Sequence, residues 1–295
     1  IRIADVSLDL AQLQALAAAV DTGTFDAAAG RLHVTPSAIS QRIRALENSV
    51  GSILLTRSKP VRVTEAGATY LALARKIDAL TLDALAAQGS DQPLSLPIAV
   101  NGDSLATWVL PALAPLAGDI RFTFHREDQD HSTALLRDGT VMAAITTEAT
   151  PVQGCTARPL GTMRYRLLAS PDFAARWFAS GADATTIARA PVVVFDAKDD
   201  LQHRYVRDRW DTTIEPHPHY VPSSNDFVAA VEQGFGWATV PDLQSAPLLA
   251  LGALVELDPG HHLDVALHWQ QWALSTSALD RTAAAIAEAA RAALT

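Results

Sequence analysis

The chain has 295 residues, 49% hydrophobic and 19% charged, which excludes a disordered polypeptide and leaves room for two or three domains. Its apolar runs are too short to span a bilayer, and with Cys155 as the single cysteine it can hold neither an internal disulfide nor a cysteine-built zinc site. The net charge of −9 argues against a nucleic-acid binder until it is divided: residues 1–88 carry nine Lys and Arg against eight Asp and Glu, and within 31–62 six basic residues face only Glu47.

The opening IRIADVSLDL lacks a basic stretch followed by an apolar one, so no signal peptide is expected and a cytoplasmic location fits. A first helix is predicted from about Leu8 to Asp21, with Leu10, Leu13, Ala17 and Val20 on its inner face. Gly23 ends it and Thr24 caps the next helix, which turns at His33-Val34 into a third. Thr35 caps that third helix and Pro36 begins it, since proline lacks the N–H that would have no partner there. Ile39, Ile43 and Leu46 form its apolar stripe, while Ser37, Ser40, Gln41 and Arg44 share another face suited to base edges and phosphates. A helix packed on one side and polar on the other is what a helix-turn-helix lays in the major groove, and Thr35, Pro36, Ser37, Ser40, Gln41, Arg42 and Arg44 are the candidates for that contact.

A two-stranded wing is expected next, outbound over 53–56 and returning over 61–64, with Arg57, Lys59 and Arg62 around its tip for backbone phosphates. From Thr64 to about Gln88 the pattern is one long helix, in which Tyr70, Leu73, Ile77, Leu80 and Ala84 form a 3-4-3-4 seam that needs a partner helix. Gly89 to Pro93 reads as a hinge. Strand-like runs then alternate with helical stretches to an alanine-rich helix over 277–294, the pattern of open α/β sheets. Ligands in such sheets sit at the carboxyl ends of strands, which nominates Asn101, Asp103 and Ser104 after the first, Glu127 and Asp128 after the second, and Thr147 and Glu148 after the third.

The segment AAAGRLHVTPSAISQRIRALENSVGSILLTRS resembles the signature of LysR-type transcriptional regulators, and the order of parts is similar over the full chain. Residues 99–116, 190–200 and 223–234 resemble the ArgP/LysG branch of that family, whose members sense basic amino acids and control their export. The resemblance implies an α/β multidomain chain: a winged helix-turn-helix over 1–64, a linker and dimerisation helix with hinge over 65–92, and an effector domain of periplasmic-binding-protein type over 93–295. Lobe I would take about 93–163 plus 269–295 and lobe II about 164–268, with Asp196, Asn225 and Asp226 facing the cleft from the second lobe. It also implies dimers, or dimers of dimers, on a double-stranded DNA operator, leaves RNA polymerase as a candidate partner, and calls for no cofactor besides a small effector. The acids of the cleft favour a cation, lysine or arginine.

Three other readings are weaker. Gly102-Asp103-Ser104-Leu105 spells a hydrolase motif, but no Gly-x-Asn-Asp element accompanies it, since Asn225-Asp226 is preceded by Ser223-Ser224, and a serine without a base is not an activated nucleophile. His217, His219, His261 and His262 lack further ligands at metal-binding spacing. A solute-binding module of the periplasmic type would account for the lobes but not for residues 1–88.

Overall fold

The computed structural model describes residues 8–56, 58–88, 94–126, 132–214 and 217–295, with Leu94 by its backbone alone. Helix α1 (Leu10–Thr22) begins where the Asp9 carboxylate accepts the N–H groups of Ala11 and Gln12. Leu13, Leu16 and the alanines of its second half are buried, whereas Leu10, expected on the inner face, stands at the open first turn and is 44% exposed. Helix α2 (Phe25–Arg31) is capped by the Thr24 hydroxyl at 3.2 Å from the Ala27 nitrogen. His33 makes the turn in a left-handed conformation, φ 53°. Helix α3 (Pro36–Val50) comes next, its cap the Thr35 hydroxyl 3.2 Å from the Ala38 nitrogen.

Ile39, Ile43 and Leu46 turn inward onto Leu13, Leu16, Leu54 and Leu71, and this apolar core fixes the orientation of α3. Each such side chain removed from water contributes roughly 1.5–3 kcal/mol. The wing is shorter than expected: β1 (Leu55–Thr56) pairs with β2 (Arg62–Val63) only. Thr64 accounts for the difference. Its N–H donates to the Leu54 carbonyl at 2.9 Å and its hydroxyl to the Ile53 carbonyl at 2.8 Å, so these residues brace the next helix instead of extending the ladder.

Helix α4 (Glu65–Ala86) buries Leu71, Ala74 and Arg75 against its own domain, Arg75 pairing with Asp21 at 2.6 Å. Further along the predicted seam Leu80 is 49% exposed. The same helix is fastened to the effector domain. Asp83 accepts the Ser277 N–H at 2.8 Å, Lys76 lies 5.3 Å above the Trp272 ring, and Gly139 presses on the backbone of Ala72 so closely that a Cβ would meet it at 2.8 Å.

In the effector domain β3 (Leu94–Val100) runs parallel to β4 (Ile120–Arg126) and to β5 (Ala143–Thr146). Between β3 and β4 lie α5 (Gly102–Ser104), a π-helical turn (Leu105–Val109) and α6 (Leu110–Leu113); α7 (Ser132–Arg137) precedes β5. Strand β6 (Cys155–Ala169) then leaves lobe I for lobe II. Lobe II holds α8 (Pro171–Trp177), α9 (Ala184–Arg189), β7 (Val192–Val194), α10 (Leu201–Trp210), β8 (Pro218–Tyr220) and α11 (Ser224–Glu232). It continues through β9 (Ala238–Pro241), α12 (Asp242–Ala250) and β10 (Val255–Glu256). Strand β11 (Leu263–Trp272) returns to lobe I, and α13 (Ser277–Ala293) covers it.

The expected open sheets therefore share two strands. Seven strands join in the order β10-β6-β11-β5-β3-β4 with β9 on β6, while β7 and β8 make a small parallel pair tied to β9 at Trp237. The register of β6 against β11 shifts between Leu267 and His268, opposite Gly161. Gly161 sits at φ 134°, and a Cβ there would come within 2.9 Å of the Leu294 Cβ, so this crossing point needs glycine on both counts. Trp108, Trp237 and Trp269 are core residues, and among the described residues no helix is long and apolar enough to cross a membrane.

Candidate functional site

Two faces present unspent chemistry. On the outer side of α3, Ser37, Gln41 and Arg44 are exposed, Ser40 and Arg42 are half-buried, and Thr35 and Pro36 form the exposed entry to the helix. Lys59 and Arg62 are exposed on the wing beside them; Arg57 lies outside the described residues. Arg31, part of the local positive charge, is already paired with Asp21 at 2.7 Å and is not free for phosphate.

The second face is a cleft between the lobes. Its cavity of about 90 Å³ lies at the carboxyl ends of β3, β7 and β9, bordered by Asn101, Asp103, Phe195, Asp199, Gln202, Phe227 and Thr239 among others. That is several times the roughly 10–15 Å³ that one water requires. Asp103 follows β3 from lobe I. Its carboxylate accepts the Tyr165 hydroxyl at 2.8 Å and the Ser224 hydroxyl of lobe II at 2.7 Å, a bond between the two lobes. Ser224 has one proton to give, and the shorter contact claims it. The 3.2 Å contact to the Gln244 amide then requires that amide to turn its nitrogen toward Ser224.

Asp199 reaches the cavity from the loop after β7, accepting the N–H of Leu201 at 3.0 Å and of Phe195 at 3.1 Å. Burial pushes both carboxyls above the ordinary range; the hydrogen bonds to each pull the other way, and the charge of Asp103 pushes Asp199 further up. Among the described residues neither carboxylate is in an ion pair. Around them stand orphaned polar atoms. Both amide atoms of Asn101, itself 3% exposed, lack a hydrogen-bond partner, as do the Gln202 carbonyl oxygen and the Thr239 hydroxyl. Leaving buried polar groups unpaired costs about 1–3 kcal/mol each, so their concentration on one cavity points to a polar ligand.

Of the candidates named from sequence, Asn101 and Asp103 border this cavity. Ser104 lies fully buried behind them, its hydroxyl without a hydrogen-bond partner, so it touches no base and is no nucleophile. Thr147 and Glu148 follow β5 but are not part of the lining, and Glu148 is exposed. Asp196 accepts the Lys198 N–H of its own loop at 2.7 Å and does not border the cavity. Asn225 and Asp226 are exposed on the outer side of α11 and do not border the cavity. Glu127 and Asp128 lie outside the described residues. Sequence reasoning missed Asp199, Tyr165, Gln202 and Thr239. The clue to Asp199 was its place three residues after Asp196; the others are assembled by topology alone. Among the described residues no three His, Cys, Asp or Glu side chains gather as for a metal.

A winged helix-turn-helix on a long linker helix, joined to a two-lobed α/β domain with a polar cleft, defines a ligand-responsive DNA-binding regulator rather than an enzyme. The chain belongs to the LysR family: residues 10–68 match the model of the bacterial regulatory helix-turn-helix protein of that family and residues 94–294 its substrate-binding domain. Within it the chain falls in the ArgP/LysG branch. It is 45% identical to the regulator LysG of Mycobacterium tuberculosis over 280 residues, 94% of this chain and 92% of that one. It is 40% identical to the lysine export regulatory protein LysG of Corynebacterium efficiens over 288 residues, 96% of this chain and 98% of that one. The crystal structure of ArgP from Mycobacterium tuberculosis superposes with a TM-score of 0.84 at 44% identity, over 98% of this chain and 99% of that one. Full-length LysG from Corynebacterium glutamicum with bound effector Arg gives 0.74 at 37% identity, over 97% and 99%.

Proposed function

We propose that this regulator senses a basic amino acid, lysine or arginine, in the interlobe cleft and controls genes for basic amino-acid export or metabolism. The observation that carries the reading is the pair of carboxylates, Asp103 from lobe I and Asp199 from lobe II, bordering one cavity without a cationic partner among the described residues. A ligand cation between them would relieve both burial and mutual repulsion, and would do so only with the lobes together. Asn101 offers a donor and an acceptor side by side, as an α-ammonium and α-carboxylate require, while Gln202 and Thr239 supply further hydrogen bonds. Phe195 and Phe227 wall the aliphatic part. The names of the LysG and ArgP relatives, and the arginine in one of them, support the same ligand class.

Thr35, Pro36, Ser37, Ser40, Gln41, Arg42 and Arg44 would enter the major groove, with Lys59 and Arg62, and Arg57 beyond the described residues, on phosphates. The exposed part of the α4 seam supports a dimer, paired further into a tetramer on an interrupted operator, working in the cytoplasm where DNA and RNA polymerase are met. The division into 1–64, 65–92 and 93–295 goes with that reading.

Calorimetric titration of the full chain with lysine, arginine and a neutral amino acid tests the effector. Saturation at a hundred times Kd should add about 2.7 kcal/mol of stability, visible as a raised melting temperature. Heat and a melting shift for a basic amino acid, with none for the neutral one, is the expected result. Absence of both for lysine and arginine would overturn the assignment.

A further inference from the structure

The cavity carries cations as well as carboxylates. Lys198 and Arg204 both border it, and neither is in an ion pair among the described residues. Asp200, the acid between them in sequence, is engaged by Arg207 at 3.4 Å. Five charged groups thus border one cavity, and besides Asp200, which pairs with Arg207, four do so without pairing with one another: Asp103 and Asp199 against Lys198 and Arg204. If the site were made for a diamine or a guanidino-amine, the two cations would only repel the ligand. A ligand that also carries an anion gives all four a use.

Of the two cations, Arg204 is the better anchor for that anion. It stands in the first turn of α10, its N–H bonded to the Asp200 carbonyl at 2.8 Å, and its side chain is half-buried, whereas Lys198 is exposed in the preceding loop. A guanidinium offers a planar fork that matches a carboxylate through two hydrogen bonds; an exposed ammonium on a flexible stem does not.

We propose that Arg204 reads the α-carboxylate of the effector, so that the cleft accepts a basic amino acid and refuses the corresponding amine without a carboxylate. The inference rests on the basic amino-acid reading above and adds to it the residue that separates an amino acid from its decarboxylated form. Arg204 contributes specificity here, while Asp103 and Asp199 hold the ligand's cations.

The test titrates the full-length protein with arginine, agmatine and arginine methyl ester, in the wild type and in the Arg204→Gln and Lys198→Gln variants, with melting curves to establish that each variant is folded. Wild type should bind arginine about ten- to a hundredfold more tightly than agmatine or the ester, the range expected of a charge-assisted hydrogen bond. Arg204→Gln should weaken arginine by that factor, leave agmatine bound as tightly or more tightly, since one repelling cation is gone, and so erase the preference. A loss of affinity for both ligands alike would mark a merely structural role and overturn the proposal. Equal binding of arginine and agmatine by wild type would overturn it without use of any variant, and would leave the basic effector standing. Loss of the preference in Lys198→Gln instead would assign the carboxylate to Lys198. Binding of neither arginine nor lysine would remove the effector reading, and this proposal with it.

Discussion

Gly67 and Gly30 should respond in opposite ways to the same substitution. Both lie in helices, where alanine is favoured over glycine by up to about 1 kcal/mol. At Gly30, near the end of α2, an added Cβ meets nothing within 4 Å, so Gly30→Ala should stabilise the N-terminal domain by some tenths to about 1 kcal/mol. At Gly67 the Cβ would lie 2.1 Å from the Leu54 carbonyl oxygen and 2.8 Å from the Val63 Cγ2. That oxygen is the acceptor for Thr64 at the base of the wing, so relieving the overlap means moving backbone and losing or stretching a hydrogen bond. Overpacking costs about 1–3 kcal/mol and the hydrogen bond about 0.5–1.5 kcal/mol, which together outweigh a helical gain of about 1 kcal/mol and leave a net loss of about 0.5–3.5 kcal/mol. For a domain of this size that is a fall of roughly 4–8 °C per kcal/mol. Circular dichroism melts of the two variants, with operator binding for Gly67→Ala, would read it. If Gly67→Ala melts at or above the wild-type temperature, the close approach of wing and linker helix is not as described.

The pH dependence of sensing comes from the two raised carboxyls. Their folded pKa values lie above the ordinary 3.8, so the empty effector domain loses stability as pH rises from there through the raised values, and a cationic ligand, which needs both ionised, binds more weakly as pH falls through them. Calorimetry in buffers of different ionisation enthalpy should register proton release on binding; affinity that stays flat down to about pH 4 would refute it. Asp199→Asn should reduce affinity for arginine at least tenfold, whereas Asp226→Ala, on the exposed side of α11, should leave the titration unchanged; the reverse pattern would relocate the site. Ser40→Ala or Gln41→Ala should cost roughly 1–3 kcal/mol of discrimination between operator and random DNA, while Lys59→Ala should weaken both alike and lower the salt slope by about 1. Competition binding at several salt concentrations separates the two, and uniform weakening by Gln41→Ala would move that residue to the phosphates.

The parts of the fold that could be read from sequence are those set by neighbours along the chain. Thr24, Thr35 and Thr64 each cap the next helix, because the signal and the structure it governs are three residues apart. The stripe of Ile39, Ile43 and Leu46 is equally local. For Asp226, helical periodicity already speaks against a place in the cleft: Ser224, Phe227, Val228, Ala230 and Val231 are the buried positions of α11, which turns Asn225 and Asp226 outward. Which acid of the DAKDD loop enters the cleft was not legible, since it depends on Asp196 folding back onto the Lys198 and Asp199 amides and leaving Asp199 to point elsewhere. Gln202 and Thr239 reach the cavity from separate elements of lobe II, and Tyr165 reaches Asp103 from the crossing strand β6; nothing short of the sheet order brings them together.

The fastening of α4 has a mechanical consequence. Through Asp83 on the first turn of α13, Lys76 on Trp272 and Ala72 against Gly139, lobe I and the linker helix form a single chassis, continuous with the winged module. Lobe II is joined to that chassis through β6 and β11, whose register slips opposite Gly161. If a ligand drew the cleft shut while the winged module held DNA, this fastening would keep lobe I with the DNA-binding part and leave lobe II as the part free to swing. A neighbouring copy that leans on lobe I would register nothing; one that leans on lobe II would be carried along, and the spacing of its own winged helix on the DNA would change with it.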